Sequence, residues 1–273
     1  MHRQTTPKLL PGFLFAAVLQ LAPQGYAQKV ELERTVIDSD FPGAYQVEVA
    51  DINGDKKPDI IAVGGGTCAW YENPTWKKRI ISGPEQTPRI ISSASADING
   101  DGRAETAIAY EFEMDSPKVG KLALAVQGAT PDAPWTITPI ADIGSIHRLR
   151  WGDVDGDSQP DLVVAPIFGP RAKAPRYDEE NASISVFYFK NSGGLIRWQS
   201  ELLFASFPVL HAIDVALDPE QPGKPPVIFT ASNGGVSKLT KGGSNILGSW
   251  ILNPLVTGAA GAAPKIGSSE VHV

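Results

Sequence analysis

Acidic and amide side chains recur in three nearly identical segments of this sequence, at 51–59, 97–105 and 153–161. Each segment, called a box below, has the pattern D-x-[DN]-G-D-x-x-x-[DE]. Side-chain oxygens at positions 1, 3, 5 and 9 and a backbone carbonyl at position 7 converge on one point, because the glycine lets the loop turn sharply. Six to eight flexible oxygen ligands suit calcium rather than magnesium. The predicted calcium ligands are Asp51, Asn53, Asp55, Asp59, Asp97, Asn99, Asp101, Glu105, Asp153, Asp155, Asp157 and Asp161.

The boxes differ from other metal-binding loops and from ordinary turns. An EF-hand is excluded because no helical pattern flanks the boxes and no glutamate occupies position 12. The alternative is a set of Asn-Gly and Asp-Gly hairpin turns without metal. Three copies favour a structural calcium ion, because such dense acidic groups repel one another without a cation. A fourth segment, 217–222, has lost the ligands and is not expected to bind metal.

A second set of residues lies six positions before each box. These residues are Tyr45, Ile91, His147 and, counted from the decayed fourth segment, His211. Two neutral imidazoles can bind zinc or a similar divalent ion that polarises a carbonyl group, or one imidazole can act as the base without a metal. Arg148 would stabilise the negative charge that develops when a proton is removed beside such a carbonyl. The predicted catalytic residues are His147, His211, Tyr45 and Arg148. The alternative is that each histidine is an ordinary strand residue bonded to a neighbour.

The elements that position these residues repeat with the boxes. Each box is followed by an apolar run, at 60–63, 106–109 and 162–165, which is typical of a strand buried on both faces. The boxes begin at 51, 97 and 153, so their starts are 46 and 56 residues apart. A period near 50 residues predicts an all-β fold, a β-propeller built from four-stranded blades.

The register of the repeats separates two faces of the predicted propeller. Each box lies at one end of the innermost strand, and the residue six positions earlier lies at the other end. We therefore expect the calcium loops on one face and the histidines on the opposite face, near the axis. The connection 168–181 is longer than ordered connections usually are and is expected to rise on the histidine face as a lid or specificity loop.

Composition excludes several classes of partner. The 273 residues include 24 basic and 30 acidic side chains, a net charge of −6. Binding to nucleic acid or to an anionic membrane needs a basic face, so neither is expected. The lone Cys68 excludes a disulfide framework and a multi-cysteine zinc site.

The first 27 residues have the features of a secretory signal. Basic residues precede the apolar stretch 9–21, which is too short to span a membrane, and small residues precede a cleavage site after Ala27. The alternative is an uncleaved N-terminal anchor. The sequence therefore predicts a signal peptide at 1–27, a propeller domain at 28–273 without a further membrane span, and a secreted or periplasmic location.

The boxes and the strands after them resemble the FG-GAP or VCBS repeats of β-propellers, over about residues 40–240. A narrower resemblance rests on the segments 70–74, 146–151, 210–211 and 267–271, which look like the propeller domain of aldos-2-ulose dehydratase/isomerase-type proteins. Those proteins process oxidised sugars, so this resemblance implies a sugar-derived ligand and a carbon–oxygen lyase. FG-GAP propellers also serve as binding scaffolds, so the fold alone does not decide the function.

The predicted strands do not close a ring. Four units of four strands are followed by an outer-type strand at 248–256 and a lone inner strand at 265–273, and another orphan strand lies at 29–37. The chain is thus expected to hold about four and a half blades, whereas the propellers it resembles have seven. Either the chain is a truncated seven-bladed ring, incomplete at its C-terminus and with about two blades missing, or a protein partner supplies the missing strands. The narrower resemblance also implies that further domains can accompany such a propeller.

Two functions remain open at this point. The first is an extracytoplasmic, calcium-stabilised propeller that binds a carbohydrate or a sugar-derived small molecule and, as an enzyme, dehydrates it. The second is a non-catalytic FG-GAP module for adhesion or protein interaction.

Overall fold

The computed structural model describes residues 31–192, 195–218, 223–224, 226–242, 250–261 and 267–273. The predicted signal peptide at 1–27 lies outside the described residues. The chain divides into two units, Met1–Ile37 and Asp38–Val273. Residues 31–37, the described part of the first unit, form no strand, so the orphan strand predicted at 29–37 does not form there. In the described ranges, no helix is long and apolar enough to cross a membrane.

The second unit contains four antiparallel sheets of four strands each. The first two sheets consist of β1 (Ala44–Ala50), β2 (Asp59–Gly64), β3 (Thr67–Glu72), β4 (Lys77–Ser82), β5 (Ser92–Ala96), β6 (Glu105–Tyr110), β7 (Lys121–Val126) and β8 (Thr136–Asp142). The other two consist of β9 (Ile146–Gly152), β10 (Asp161–Pro166), β11 (Ala182–Ser192), β12 (Leu195–Phe207), β13 (Leu210–Ala216), β14 (Val227–Ser232), β15 (Gly235–Lys241) and β16 (Trp250–Thr257). Within each sheet, strands that follow one another along the chain are neighbours.

The first strands of the four sheets, β1, β5, β9 and β13, lie side by side in that order. Gln46 on β1 exchanges two hydrogen bonds with the backbone of Ser93 on β5. Trp151 Nε1 on β9 donates to the carbonyl of Ala94 on β5. Four-stranded meanders whose first strands adjoin are the blades of a β-propeller. The predicted all-β propeller is therefore confirmed, with four blades in the described residues.

Apolar side chains between the blades form the core. Ile61, Ile108 and Leu162 come from the three runs that follow the boxes, and all three are fully buried. Ile61 and Ile108 share one cluster with Trp70 between the first two blades. Burial of such a side chain contributes about 1.5–3 kcal/mol of stability. The central strands β2, β6 and β10 therefore anchor the boxes that lead into them.

The fourth blade accounts for the strand predicted at 248–256. In the structure this segment forms β16, which pairs with β15. It is the fourth strand of the fourth blade and does not begin a further blade. The lone inner strand predicted at 265–273 does not form in its described part, where Gly267 makes an isolated bridge with Ala259. A single extended segment without a ladder partner gains no sheet stabilisation. The extra half blade is therefore not seen in the described residues.

Candidate functional site

Each box forms the same hydrogen-bonded loop. In the first box, the carboxylate of Asp51 accepts hydrogen bonds from the backbone N–H groups three, four and five residues later. Asp97 and Asp153 accept the equivalent bonds in the other two boxes. The turn requires a left-handed backbone at its glycine, and Gly54 has a φ of 78°. The repeated motif in the sequence thus produces a repeated loop.

The third and fifth residues of the boxes also shape the loops. The side-chain oxygen of each accepts a hydrogen bond from the backbone N–H two residues later. The residues concerned are Asn53, Asp55, Asn99, Asp101, Asp155 and Asp157. An sp² oxygen keeps a second lone pair after accepting one hydrogen bond, so these atoms remain able to bind a cation.

The ninth residue of each box is a buried acid at the start of a central strand. Asp59, Glu105 and Asp161 are at most 4% exposed, and each accepts a hydrogen bond from the backbone N–H of the second residue of its box. Burial raises the pKa of all three carboxyls, and the other acids of the same box raise it further. The pKa rises to about 7 for Glu105 and Asp161. A bound cation would offset this concentration of negative charge.

The predicted ligands fit calcium best in the third box. There, carboxylate oxygens of Asp153, Asp155 and Asp161 lie within 4.8 Å of one another. In the second box Asn99 Nδ2 is 2.7 Å from Glu105 Oε1, so these two predicted ligands also adjoin. Hard oxygen donors around a tight turn are the ligands that calcium takes. The residues therefore suit the ion, and calcium binding stays a prediction.

Three of the predicted catalytic residues meet near the axis, from three different blades. Tyr45 on β1 places its Oη 3.2 Å from His147 Nε2 on β9. His147 Nδ1 lies 3.0 Å from the carbonyl oxygen of His211 on β13, and the two imidazole centroids are 5.0 Å apart. Ile91, in the same register, joins them around one cavity. The structure thus brings these residues together, and their catalytic role stays a prediction.

The hydrogen bonds of His147 indicate its tautomer. A carbonyl oxygen can only accept, so Nδ1 carries the proton, and Nε2 accepts from Tyr45 Oη and from Arg148 Nη1 at 3.2 Å. Burial lowers the pKa of His147 well below its usual range, and the positive charge of Arg148 lowers it further. His147 is therefore a neutral imidazole whose two nitrogens are both engaged by neighbours.

His211 differs from His147 in the use of its nitrogens. Its Nδ1 donates to the carbonyl oxygen of Ser269, so Nε2 carries the lone pair. Burial lowers the pKa of His211 below its ordinary value. His211 is therefore also neutral. The Nε2 of His147 accepts hydrogen bonds from Tyr45 and Arg148, whereas these contacts give the Nε2 of His211 no donor, so its lone pair can act as a base.

A cavity of about 410 Å³ opens beside these residues. Its walls are mainly apolar and aromatic, and they include Phe112, Phe168 and Tyr177. The rings of Phe168 and Tyr177 stack, with centroids 4.2 Å apart and an interplanar angle of 11°. Both belong to the connection 168–181, as does Arg176, which also lines the cavity. The long connection is thus part of the wall on the histidine face.

Sequence reasoning missed several residues of this wall. Phe112 and Asn233 were not predicted, and they follow the second strands of their blades by two positions and one position. Phe168, predicted as the start of the connection 168–181, follows β10 in the same way. The connection after the second strand returns to the end of the blade where the first strand begins, so these positions reach the same face as Tyr45. The sequence repeat could have predicted these positions, because each apolar run after a box marks the second strand, and the wall residue follows the end of that strand.

The axial histidines do not offer a favourable donor set for zinc. His147 Nε2 already accepts hydrogen bonds from Tyr45 and Arg148. The guanidinium of Arg148 would repel a second cation at this nitrogen. A zinc ligand would instead need a free lone pair facing the ion. The lone pair of His211 Nε2 would provide a single ligand, which is too few for a zinc site, so zinc is not proposed at these histidines.

The fold and the loops together define the class of this protein as a β-propeller with repeated acidic loops. A family model described as an FG-GAP-like repeat matches residues 51–108. That stretch begins with the first box and includes the whole second box. The match and the four antiparallel blades support a propeller of the FG-GAP type. A search of curated proteins gives no match.

Proposed function

We propose that this protein is an extracytoplasmic, calcium-stabilised FG-GAP-type propeller that binds a carbohydrate-type ligand in the axial cavity. The observation that carries the proposal is the cavity itself, which is about 410 Å³ in volume. Ligand sites are concave, largely apolar, and contain a few convergent polar groups. The position on the axis, where three blades meet, gives the site rigid walls.

The lining of the cavity supports a sugar as the ligand. Phe112, Phe168 and Tyr177 present apolar ring surfaces that suit the C–H face of a pyranose. Tyr45, His211 and Asn233 add polar groups that can orient hydroxyls. A small set of hydrogen-bonding groups within an apolar wall gives both affinity and orientation.

Calcium is proposed to stabilise the loops on the opposite face. The boxes lie at the far ends of β1, β5 and β9, away from Tyr45 and His147. Their buried acids, such as Asp161, have raised pKa values because of burial and of like charges nearby. An ion there would hold the connections between first and second strands without touching the ligand.

A test of ligand binding uses the purified protein and a panel of neutral and acidic monosaccharides, observed by saturation-transfer NMR and calorimetry. We expect binding that Phe112→Ala weakens by about tenfold or more, because this change removes an aromatic wall. Ile80→Ala is the matched control, since Ile80 is exposed on the first blade outside the cavity. If no sugar of the panel binds, or if both variants bind equally well, the proposal fails.

A sugar dehydratase is the enzymatic form of this proposal. It is favoured by the neutral imidazole of His211, whose Nε2 carries a lone pair. Its Nε2 could remove the proton beside a sugar carbonyl. The electrons of that C–H bond would form the C=C bond while the β C–O bond breaks, and the leaving hydroxyl would take up the proton held by His211 and depart as water. We expect His211→Gln to abolish the ultraviolet absorbance of the unsaturated product, while the exposed His272→Gln retains it. Absence of any product with the unaltered protein would exclude this form and leave sugar binding to be judged separately.

The non-catalytic module is a second candidate because part of the first blade is apolar and exposed. Val47 and Val49 lie on one face of β1 and are 70% and 64% exposed. Exposed apolar surface of this kind marks protein interaction sites. Val47→Glu would reduce association with a protein partner without changing sugar binding, which distinguishes the two functions.

A further inference from the structure

The buried guanidinium of Arg148 lacks a negatively charged partner within the part of the chain that the structure describes. Arg148 is 7% exposed. Its Nη1 donates to Nε2 of His147 at 3.2 Å and lies 3.3 Å from the carbonyl oxygen of the same residue. Its Cζ lies 5.4 Å from the ring centroid of Tyr45. These partners are neutral, so a positive charge is held near the axis without compensation.

Other poorly exposed arginines of this protein have carboxylate partners. Arg79 contacts both Glu72 and Asp132. Arg150, two residues after Arg148 on the same strand, lies 3.6 Å from Asp214. Buried charges are normally paired, because an isolated ion loses its hydration without recovering the lost free energy. Because Arg148, unlike Arg79 and Arg150, contacts no carboxylate of the described chain, a bound ligand is the natural source of a negative charge beside it.

The hydrogen-bonding pattern of Arg148 indicates the shape of that charge. With Nη1 engaged by His147, the guanidinium retains Nε and Nη2, whose N–H bonds point in parallel from one edge of the planar group. A carboxylate matches this edge with two parallel hydrogen bonds. In the described ranges, the fully enclosed side-chain nitrogen and oxygen atoms without a hydrogen-bond partner are Trp70 Nε1, Ser92 Oγ and Trp135 Nε1. The remaining N–H groups of Arg148 are therefore not sealed from solvent.

The position of Arg148 connects this charge with the axial cavity. Its two neighbours, His147 and Tyr45, both line the cavity. Its influence extends to His211, another lining residue: burial lowers the pKa of His211 and the charge of Arg148 lowers it further, while the hydrogen bond to Ser269 and the charge of Glu270 act in the opposite direction. An anion bound in the cavity would thus lie near a positive charge that no carboxylate contacts among the described residues, and its attraction to that charge would be stronger than in bulk water.

We infer that the ligand of the axial cavity carries a carboxylate, as a sugar acid does, and that Arg148 binds it through Nε and Nη2. This inference rests on the proposed function, because it specifies the chemical class of sugar for the same site. The aromatic wall receives the sugar ring, and Arg148 selects the acid over its neutral counterpart. The specificity of the site therefore depends on Arg148, which contacts the lining residues His147 and Tyr45.

The test compares matched pairs of sugars by calorimetry with the full chain. The pairs are D-glucuronate with D-glucose and D-galacturonate with D-galactose. We expect at least one acid to bind about tenfold or more tightly than its neutral partner, because a hydrogen-bonded charge pair contributes that much. Arg148→Gln should remove this preference. Arg148→Lys keeps the positive charge but not the two parallel N–H donors, so it should retain only part of the preference. Arg150→Gln is the matched control and should keep the preference.

Each outcome bears on a different statement. Equal affinity for both members of each pair in the unaltered protein overturns the inference and leaves sugar binding standing. Binding of no sugar overturns both the inference and the proposed function. A preference for the acid that persists in Arg148→Gln overturns the assignment to Arg148. Tighter binding of D-glucose 6-phosphate than of D-glucuronate overturns the choice of carboxylate. The comparison in the unaltered protein needs no variant, so the inference stays testable if Arg148→Gln does not fold.

Discussion

Tyr45 and His147 are 102 residues apart in the chain, yet Tyr45 Oη lies 3.2 Å from His147 Nε2. The bond joins the first blade to the third across the axis, because both residues open the first strand of their blade. In this bond Nε2 is the acceptor, because the proton of the imidazole is on Nδ1, which donates to the carbonyl oxygen of His211. The repeat register thus produces a contact that the linear distance would not suggest.

Tyr45→Phe tests this contact. We expect the free energy of unfolding to fall by about 0.5–1.5 kcal/mol, because one hydrogen bond of a partly exposed side chain is lost while the ring remains. Urea unfolding followed by tryptophan fluorescence measures the change. A decrease of more than about 3 kcal/mol would indicate that the hydroxyl supports more than this bond.

Calcium should raise the thermal stability of the protein. At a calcium concentration of about 100 times the dissociation constant, one site adds about 2.7 kcal/mol, which raises Tm by several degrees. Calorimetry with calcium and with a chelator measures this shift. Asp153→Asn should reduce it, because a ligand in the third box becomes neutral, whereas Glu85→Gln, at an exposed acid outside the boxes, should not. An identical Tm with and without chelator contradicts structural calcium.

Glu48 should make stability depend on pH. Its carboxylate lies between β1 and β5, where it accepts hydrogen bonds from Ser93 and Ser95, and burial raises its pKa above the ordinary value despite those bonds. A carboxyl with a raised pKa in the folded state binds more protons there than in the unfolded state, so its stabilising contribution is present at low pH and lost as pH rises through the folded pKa.

Glu48→Gln isolates this effect, because the amide keeps the shape and cannot ionise. We expect the stability of the variant relative to the unaltered protein to increase as pH rises above about 4.5, the usual pKa of a glutamate. Urea unfolding at several pH values measures the difference, and the exposed Glu85→Gln serves as the control. A difference that is constant with pH would show that Glu48 does not titrate in this range.

Much of the fold follows from local pattern. The boxes at 51–59, 97–105 and 153–161 form equivalent loops because each encodes its own hydrogen bonds, from the first carboxylate to the next N–H groups. The apolar runs after them become buried central strands because they have no polar face to present to water. The end of the fourth blade is less evident, because its box has decayed and no longer marks where the strands begin.

The sequence by itself determined the repeat, the loops, and the shared register of Tyr45, His147 and His211, because these depend on short-range patterns and on a constant period. Only the tertiary structure decided that Phe112 and Phe168 form a wall beside those residues and that Arg148 is buried without a counter-ion. These features depend on which blades meet at the axis and on the direction of each side chain there. Long-range packing sets both, and no local pattern specifies them.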